Sequence, residues 1–556
     1  MKKGIFLFLL FIVIFSSSFR TEAQTGPNKY WIQFTDKVGS PFSLSQPQDF
    51  LSPRALERRM QQQIPLIEND LPVNPHYIDS VLSYGVKLHS RSKWFNAITI
   101  ETMEPAVLGA IQSLSFVANT QKVLRYQSTR AGEPEEPAPS SLKVELDTQN
   151  FYDYGLAFPQ IEMLNGHILH NSGFRGAGIH IAVIDAGFLN TDTIPMFDSL
   201  RNQGRILGTW DFVDKEASVY EDFSHGMKVL SVMAANAPGE IIGTAPEAHY
   251  WLLRSEDAVT EYLVEEDNWI AAAEFADSVG ADILNTSLGY NLFQDSSTDH
   301  SYADMDGNST RITIASDIAA SKGMLVVNSA GNTGMSSWNY IVAPADGDSV
   351  LAVGAVDEWG EYAAFSGKGP SYDGRVKPNV CAMGASTVIS ANDGSIAIGS
   401  GTSFSSPIIA GMAACLWQAN RSLSNMEILK AIEESAHQYD QPDDELGYGI
   451  PDFARANMLL QTQQFESGIA ENSLIRVFPN PFNHSFRLKL FLNQNQDIRI
   501  DLVDPLGRIV ASAPEAFERN SFIEYEFQSL DHLKPGVYFL QVRFVDKFES
   551  IPVIKL

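Results

Sequence analysis

Three side chains stand in an order and setting that suit nucleophilic chemistry. Asp185 closes the apolar run IAVID, His225 opens HGMKVLSVMAA, and Ser403 sits in GSGTSFSSP just before IIAGMAACLW. A serine hydroxyl is a poor nucleophile until a base takes its proton. An imidazole can do so near neutral pH and later hand the proton to a leaving amine. A carboxylate behind the imidazole fixes its tautomer and stabilises the imidazolium. A fourth residue, Asn332 in VVNSAGN, follows an apolar run and a glycine. Its amide N–H, with the backbone N–H of Ser403, suits the stabilisation of a developing oxyanion. Taken singly, each residue has a blander reading: a cap or turn for Asp185 and Asn332, a structural role for His225.

Such groups need rigid carriers. From about residue 151 to 460 apolar runs alternate with helical patterns: IHIAVID, HGMKVLSVMAA, HYWLLRS, EEDNWIAAAEFADSVG, ADILNTSLG, ITIASDIAASKG and MLVVNSAGN. Trp269, Ala273, Ala276 and Val279 recur at helical spacing. The strand-like runs are apolar on both faces, as in a parallel sheet covered by helices on both sides. This alternation predicts an α/β layered fold. Asp185 then lies at the carboxyl end of a parallel strand, the edge where such sheets bind ligands. His225 and Ser403 lie at helix starts, where free N–H groups and the dipole favour negative charge.

The chain has 556 residues, enough for several domains, and a formal charge of −28 that excludes non-specific nucleic-acid binding. Lys2 and Lys3, the apolar run Ile5 to Phe15 and a small residue at Ala23 predict a signal peptide over residues 1–23, too short to span a bilayer. No later segment reads as a transmembrane helix. Residues 24–130 read as a small α+β unit. AGEPEEPAPSS opens a solvated linker over 131–150, and QTQQFESGIAENS marks a second over 461–473. Residues 474–556 turn all-β, with turns at DPLG and KPG, and fit a small β-sandwich. Two cysteines, Cys381 and Cys415, are the whole supply, so stability rests on the core. Cys415 lies in the apolar helical stretch AGMAACLW and reads as a buried thiol, with a disulfide between the two cysteines as the alternative.

The motifs DAG, HGMK, SLG, AGN and GTSFSSP occur in that order over about 220 residues. Together they resemble those of subtilisin-like serine peptidases, the subtilases, over roughly residues 165–455. The resemblance implies a three-layer α/β/α sandwich and a secreted endopeptidase, with Asp185, His225 and Ser403 as triad and Asn332 in the oxyanion hole. It also implies Ser287, Leu288 and Gly289 as an edge that pairs with extended substrate, with Ser329, Ala330 and Gly331 completing the substrate-binding set. No catalytic cofactor or catalytic metal is implied.

Departures from the pattern are Ala186 for a hydroxyl residue, Met227 and Lys228 for Thr-His, Thr333 after Asn332, and Tyr290 for Gly. Ala186 removes a hydroxyl that could bond Asp185, and Tyr290 is expected to narrow the cleft. ADMDGN, Ala303 to Asn308, clusters carboxylates around a glycine, as a structural calcium loop does, but without that loop's full spacing. It reads as a solvated turn, with calcium as the alternative. EYLVEED, Glu261 to Asp267, reads as a solvated helix start, with a cleft wall favouring basic residues as the alternative.

The 24–130 unit resembles subtilase propeptides, modules that assist folding and then block the cleft. The 474–556 unit resembles type IX sorting domains of Bacteroidota, through VFPNPF, DPLGRIV, LKPGVYFLQV and IPVIKL. The expected partners are peptide or protein substrates, the chain's own propeptide and the type IX export machinery. The expected location is outside the outer membrane or on the cell surface. The competing class is a binding or adhesive protein on an inactive scaffold, disfavoured by the intact set of Asp185, His225, Ser403 and Asn332.

Overall fold

The computed structural model describes residues 28–124, 150–466, 475–491, 498–513, 522–543 and 548–556. The signal segment and nearly all of the 131–150 linker lie outside the described residues.

The amino-terminal unit pairs four antiparallel strands, β1 (Asn28–Phe34), β2 (Lys87–Ser92), β3 (Ala97–Thr102) and β4 (Val117–Leu124), in the order β2-β3-β1-β4. Side chains alternate along β1. Tyr30, Ile32 and Phe34 enter the unit's own core, while Trp31 points into a core shared with the central domain. This is the period of two expected for a sheet buried on both faces.

The central domain follows with β5 (His180–Asp185), β6 (Ile206–Asp211), a two-residue pair β7 (Asn236–Ala237) and β8 (Ile241–Ile242), β9 (His249–Arg254), β10 (Ile283–Thr286), β11 (Leu325–Ser329), β12 (Val350–Val356) and β13 (Val380–Met383). Seven of these form one parallel sheet in the order β13-β12-β11-β10-β5-β9-β6. Ile181 and Val183 of β5 join a core with the helices His225–Ala234 and Thr402–Ala419. Ala182 and Ile184 face the other way, into a core with Val264–Val279 and Arg311–Ser321. Helices thus cover both faces, and the α/β/α sandwich is the architecture. A hairpin of β14 (Thr387–Ser390) and β15 (Ile396–Gly399) precedes the serine-bearing helix.

Two readings of the sequence change. Glu265, Glu266 and Asp267 are buried, not a solvated helix start. The amino-terminal unit and the 290–300 loop cover this helix and supply partners. His300 Nε2 lies 2.6 Å from Glu266, Thr99 donates to Asp267 at 2.8 Å, and Arg311 reaches Asp267 at 3.0 Å. The helix Phe453–Glu466 also runs into the stretch read as the 461–473 linker, because QTQQFE is rich in good helix formers.

The amino-terminal unit docks on the Val264–Val279 helix through buried charges. Arg58 donates to Asp277 at 2.6 Å, Arg59 at 3.0 Å and Lys93 at 2.9 Å. Burial alone would push the Asp277 carboxyl up, but these three cations hold it well below the usual carboxylate range.

The carboxyl-terminal unit contains β16 (Ile475–Phe478), β17 (Phe486–Phe491), β18 (Arg499–Val503), β19 (Ile509–Ser512), β20 (Phe522–Phe527), β21 (Gly536–Arg543) and β22 (Phe548–Lys555). They form two antiparallel sheets, β16-β17-β20 and β19-β18-β21-β22. Leu488 and Leu490 of one sheet and Leu502 and Leu540 of the other share one core, which makes a sandwich. Cys381 and Cys415 are both buried and free. No helix among the described residues is long and apolar enough to cross a membrane.

Candidate active site

Asp185 is the last residue of β5, and His225 is the first of its helix. Their segments touch. A Cβ on Gly226 would lie 2.6 Å from the Gly187 carbonyl and 2.9 Å from the Asp185 Cβ, so only glycine permits this approach. The result is a contact of 2.7 Å between His225 Nδ1 and Asp185 Oδ1. Asp185 is fully buried, while the His225 side chain is 38% exposed. Burial disfavours a charged imidazole, but the Asp185 carboxylate outweighs it and the pKa of His225 is raised. The Ala186 N–H donates to Asp185 Oδ1 at 2.7 Å, and Oδ2 is buried with no partner among the described residues. That orphan oxygen is what the missing hydroxyl at position 186 would address.

Ser403 occupies the second position of the Thr402–Ala419 helix. The ring of the adjacent Phe404 lies 6.3 Å from the His225 ring, centroid to centroid, so both segments face one cleft. Ser403 Oγ donates to the Ser287 carbonyl at 3.3 Å and not to His225. Catalytic hydrogen bonds of this kind tighten when substrate binds. Pro407 lies inside the helix, four residues after Ser403, and has no N–H for the Ser403 carbonyl. The Ser287 hydroxyl donates to that carbonyl at 2.9 Å instead.

Asn332 is exposed, and its amide is oriented from behind. Its Oδ1 accepts from Thr402 N at 2.9 Å and from Thr402 Oγ1 at 3.0 Å, while Thr402 Oγ1 accepts from Gly331 N at 3.2 Å. With Oδ1 engaged, Nδ2 is the free end. A Cβ on Gly401 would stand 3.3 Å from Asn332 Nδ2 and 3.7 Å from Ser403 N. Both donors therefore border one space, which Gly401 leaves empty. Thr402 and Pro407 escaped the sequence reading as roles, although both lie within GTSFSSP.

Ser287 and Gly289 flank a half-buried Leu288, and Gly289 is exposed. The Gly289 N–H and C=O have no partner among the described residues, as an edge for an extended peptide requires. Ser329, Ala330 and Gly331 differ. Ser329 and Ala330 are buried; Ala330 N donates to Val353 O at 2.9 Å, and Gly331 O accepts from Gly367 N at 2.7 Å. This stretch also gives Asn332 a fixed base. Tyr290 does not narrow the cleft: its ring is buried in the core and its hydroxyl donates to Glu256. Burial, partly offset by that hydroxyl, pushes the Glu256 carboxyl up to about 7. Met227 is also buried in the core.

The ADMDGN loop does not suit calcium, because its carboxylates are spent on the chain itself. Asp306 Oδ1 accepts from Asn308 N and Ser309 N, both at 2.8 Å, and Asp304 Oδ2 accepts from Ser301 N at 2.7 Å. The described residues place three carboxylates together elsewhere. Oxygens of Glu256, Glu261 and Glu265 all lie within 4.8 Å of one another.

Comparison with known families decides the identity. Residues 176–449 match the model of the subtilase family, residues 29–137 the peptidase S8 propeptide domain of Bacteroidota, and residues 476–554 the secretion system C-terminal sorting domain. This chain is a subtilase. Subtilisin E of Bacillus subtilis (strain 168) is 29% identical over 329 residues, 57% of this subtilase and 77% of that protein. The thermophilic serine proteinase of Bacillus sp. (strain AK1) is 33% identical over 277 residues, 49% of this chain and 60% of its own. Subtilisin of Bacillus pumilus is 29% identical over 281 residues, 50% and 90% respectively. The subtilase is accordingly a subtilisin-like serine peptidase. It is preceded by its propeptide and followed by a domain that directs type IX export to the surface or the medium.

Proposed function

We infer that this subtilase is a secreted serine endopeptidase working through an acyl-enzyme on Ser403. His225 takes the Ser403 proton as Oγ attacks the peptide carbonyl, then delivers it to the departing amine. Asp185 holds the imidazole by Nδ1 and stabilises its charged form. Asn332 Nδ2 and the Ser403 N–H receive the oxyanion. Substrate lies extended along Ser287–Leu288–Gly289. The observation that carries this reading is the 2.7 Å contact between buried Asp185 and half-exposed His225 beside the Ser403 helix.

The domain plan we propose is a signal peptide over 1–23, propeptide over 24–130, linker over 131–150, catalytic domain over 151–460, linker over 461–473, into which the last catalytic-domain helix continues as far as Glu466, and sorting domain over 474–556. Partners are peptide substrates, the chain's own propeptide and the type IX machinery. A fluorophosphonate probe tests the nucleophile: labelling is expected to disappear in Ser403→Ala and to collapse in His225→Ala. Labelling that survives Ser403→Ala places the nucleophile elsewhere.

A further inference from the structure

Three adjacent parallel strands end in register at Asp185, Arg254 and Asp211. The middle residue is a buried cation. The Arg254 side chain is 4% exposed, and Asp211, at 2%, is its buried counter-charge, at 2.6 Å from Nη1. A buried ion pair needs its remaining hydrogen-bonding groups satisfied. Arg254 finds these partners on the two segments that carry the catalytic pair.

Arg254 Nε donates to the Ala186 carbonyl at 3.1 Å, one residue after Asp185, and to the Glu256 carbonyl at 3.2 Å. Nη1 lies 2.7 Å from Asp214 and 3.1 Å from Asp222, three residues before His225. Between Asp222 and His225 the chain turns sharply. Phe223 has φ of 37°, a left-handed conformation rare for a side chain of its size, and its ring lies 5.9 Å from the guanidinium carbon. Backbone bonds from Leu189 N to Phe223 O at 3.1 Å and from Ser255 N to Asp185 O at 3.0 Å complete the junction.

We propose that Arg254 is a positioning residue of the triad. Its guanidinium ties the backbone that carries Asp185 to the loop that carries His225, and so sets the geometry between them. This rests on the assignment of Asp185 and His225 above. A planar guanidinium reaches both sides at once with fixed donor directions; an ammonium has the charge but not the fork. Asp211 anchors the cation to the sheet, and Asp222 transmits its position to His225. Asp214 shares the charge but lies farther along the loop from the histidine.

The test uses full-length precursors of Arg254→Lys, Asp222→Asn and Asp214→Asn, matured in trans by a trace of active enzyme. Arg254→Lys keeps the charge and loses the fork. Its kcat is expected to fall about ten- to a hundredfold with KM little changed, the size of loss that a small misplacement of reacting groups causes. Its acid limb of kcat/KM moves to lower pH, because a looser Asp185 contact raises the His225 pKa less. Asp222→Asn, at a half-exposed site, lowers plateau kcat in the same sense, whereas Asp214→Asn leaves it near the parent value. Equal behaviour of the two aspartate variants overturns the proposal, as does an Arg254→Lys enzyme with a lower melting temperature but parental kcat and pH profile. His225→Ala run in parallel separates the two readings. If it retains activity, the triad assignment fails; if it is inactive while the Arg254 and Asp222 variants are normal, only the positioning role fails.

Discussion

Ser287 and Ser403 exchange hydrogen bonds: the Ser287 hydroxyl donates to the Ser403 carbonyl, and the Ser403 hydroxyl donates to the Ser287 carbonyl. The nucleophile's resting position is thereby coupled to the edge that receives substrate. Ser287→Ala leaves a buried carbonyl unpaired and is expected to destabilise the domain by about 1–3 kcal/mol. Pro407→Ala restores an N–H to the helix. In that background the Ser287→Ala cost is expected to shrink, and thermal melting of the double-mutant cycle measures the difference. Strict additivity means that the Ser287 hydroxyl does not substitute for the missing helical bond.

The oxyanion space depends on Asn332, Thr402 and Gly401 in distinct ways. Asn332→Ala is expected to lower kcat about a hundred- to a thousandfold with little change in KM, a magnitude transferred from subtilisin itself. Thr402→Val keeps the bulk but removes the hydroxyl that holds Oδ1, and falls between parent and Asn332→Ala. Thr402→Ser restores activity. Gly401→Ala places a methyl between the two donors and lowers kcat as Asn332→Ala does. Steady-state kinetics on trans-matured protein checks all four, and a raised KM with unchanged kcat assigns Asn332 to ground-state binding.

The raised His225 pKa fixes the sign of the pH profile. The reaction needs neutral His225, so kcat/KM rises with pH, with a midpoint above about 6.5, the ordinary histidine value. Asp185→Asn removes the group that raises the pKa and leaves burial, which lowers it. That variant is expected to move the midpoint below the parent's and to lose about 10⁴-fold in kcat, the loss known for the corresponding change in another serine protease triad. A parental midpoint in Asp185→Asn uncouples the acid limb from this pair.

Propeptide release is expected to depend on pH through His89. This side chain is buried against the Val264–Val279 helix, with Nε2 2.9 Å from Asn268, Nδ1 3.1 Å from Glu101 and Lys29 Nζ at 3.5 Å. Burial pushes its pKa down to about 4. A released propeptide regains the ordinary value near 6.5 and binds more protons. His89 therefore supports docking fully above about 6.5, and this support fades as pH falls toward about 4. Size exclusion of a Ser403→Ala chain, cut once in the linker by added active enzyme, reads the dissociation; His89→Gln is expected to flatten the dependence. Asp277→Asn removes the shared counter-charge of Arg58, Arg59 and Lys93. It is expected to weaken docking by about 3–5 kcal/mol at neutral pH as well.

Much of this was legible in the chain, and the physical reasons are clear. β5 and β10 to β12 read as strands because both faces are buried, which leaves apolar runs bounded by glycine and polar residues. Asp185, His225, Ser403 and Asn332 stood out because each follows or opens such a run. The unread part depends on neighbours distant in sequence. Glu266 and Asp267 look solvated until His300, Thr99 and Arg311 are placed against them. Tyr290 looks like a cleft residue until its hydroxyl is found on Glu256. Arg254 ends a strand like many others, and nothing local tells that three aspartates converge on it.

The docking of the propeptide through Asp277 bears on how long the enzyme lasts. If the propeptide guides folding, as proposed, folding is completed while Arg58, Arg59 and Lys93 neutralise the buried Asp277. Cleavage and departure of the propeptide, on the same proposal, would take those cations away for good. The mature enzyme would then occupy a state that it did not reach alone, its unfolded chain having lost the template for return. Its working life is set by the height of the barrier out of the native state, and a half-life at temperature describes it better than an equilibrium constant.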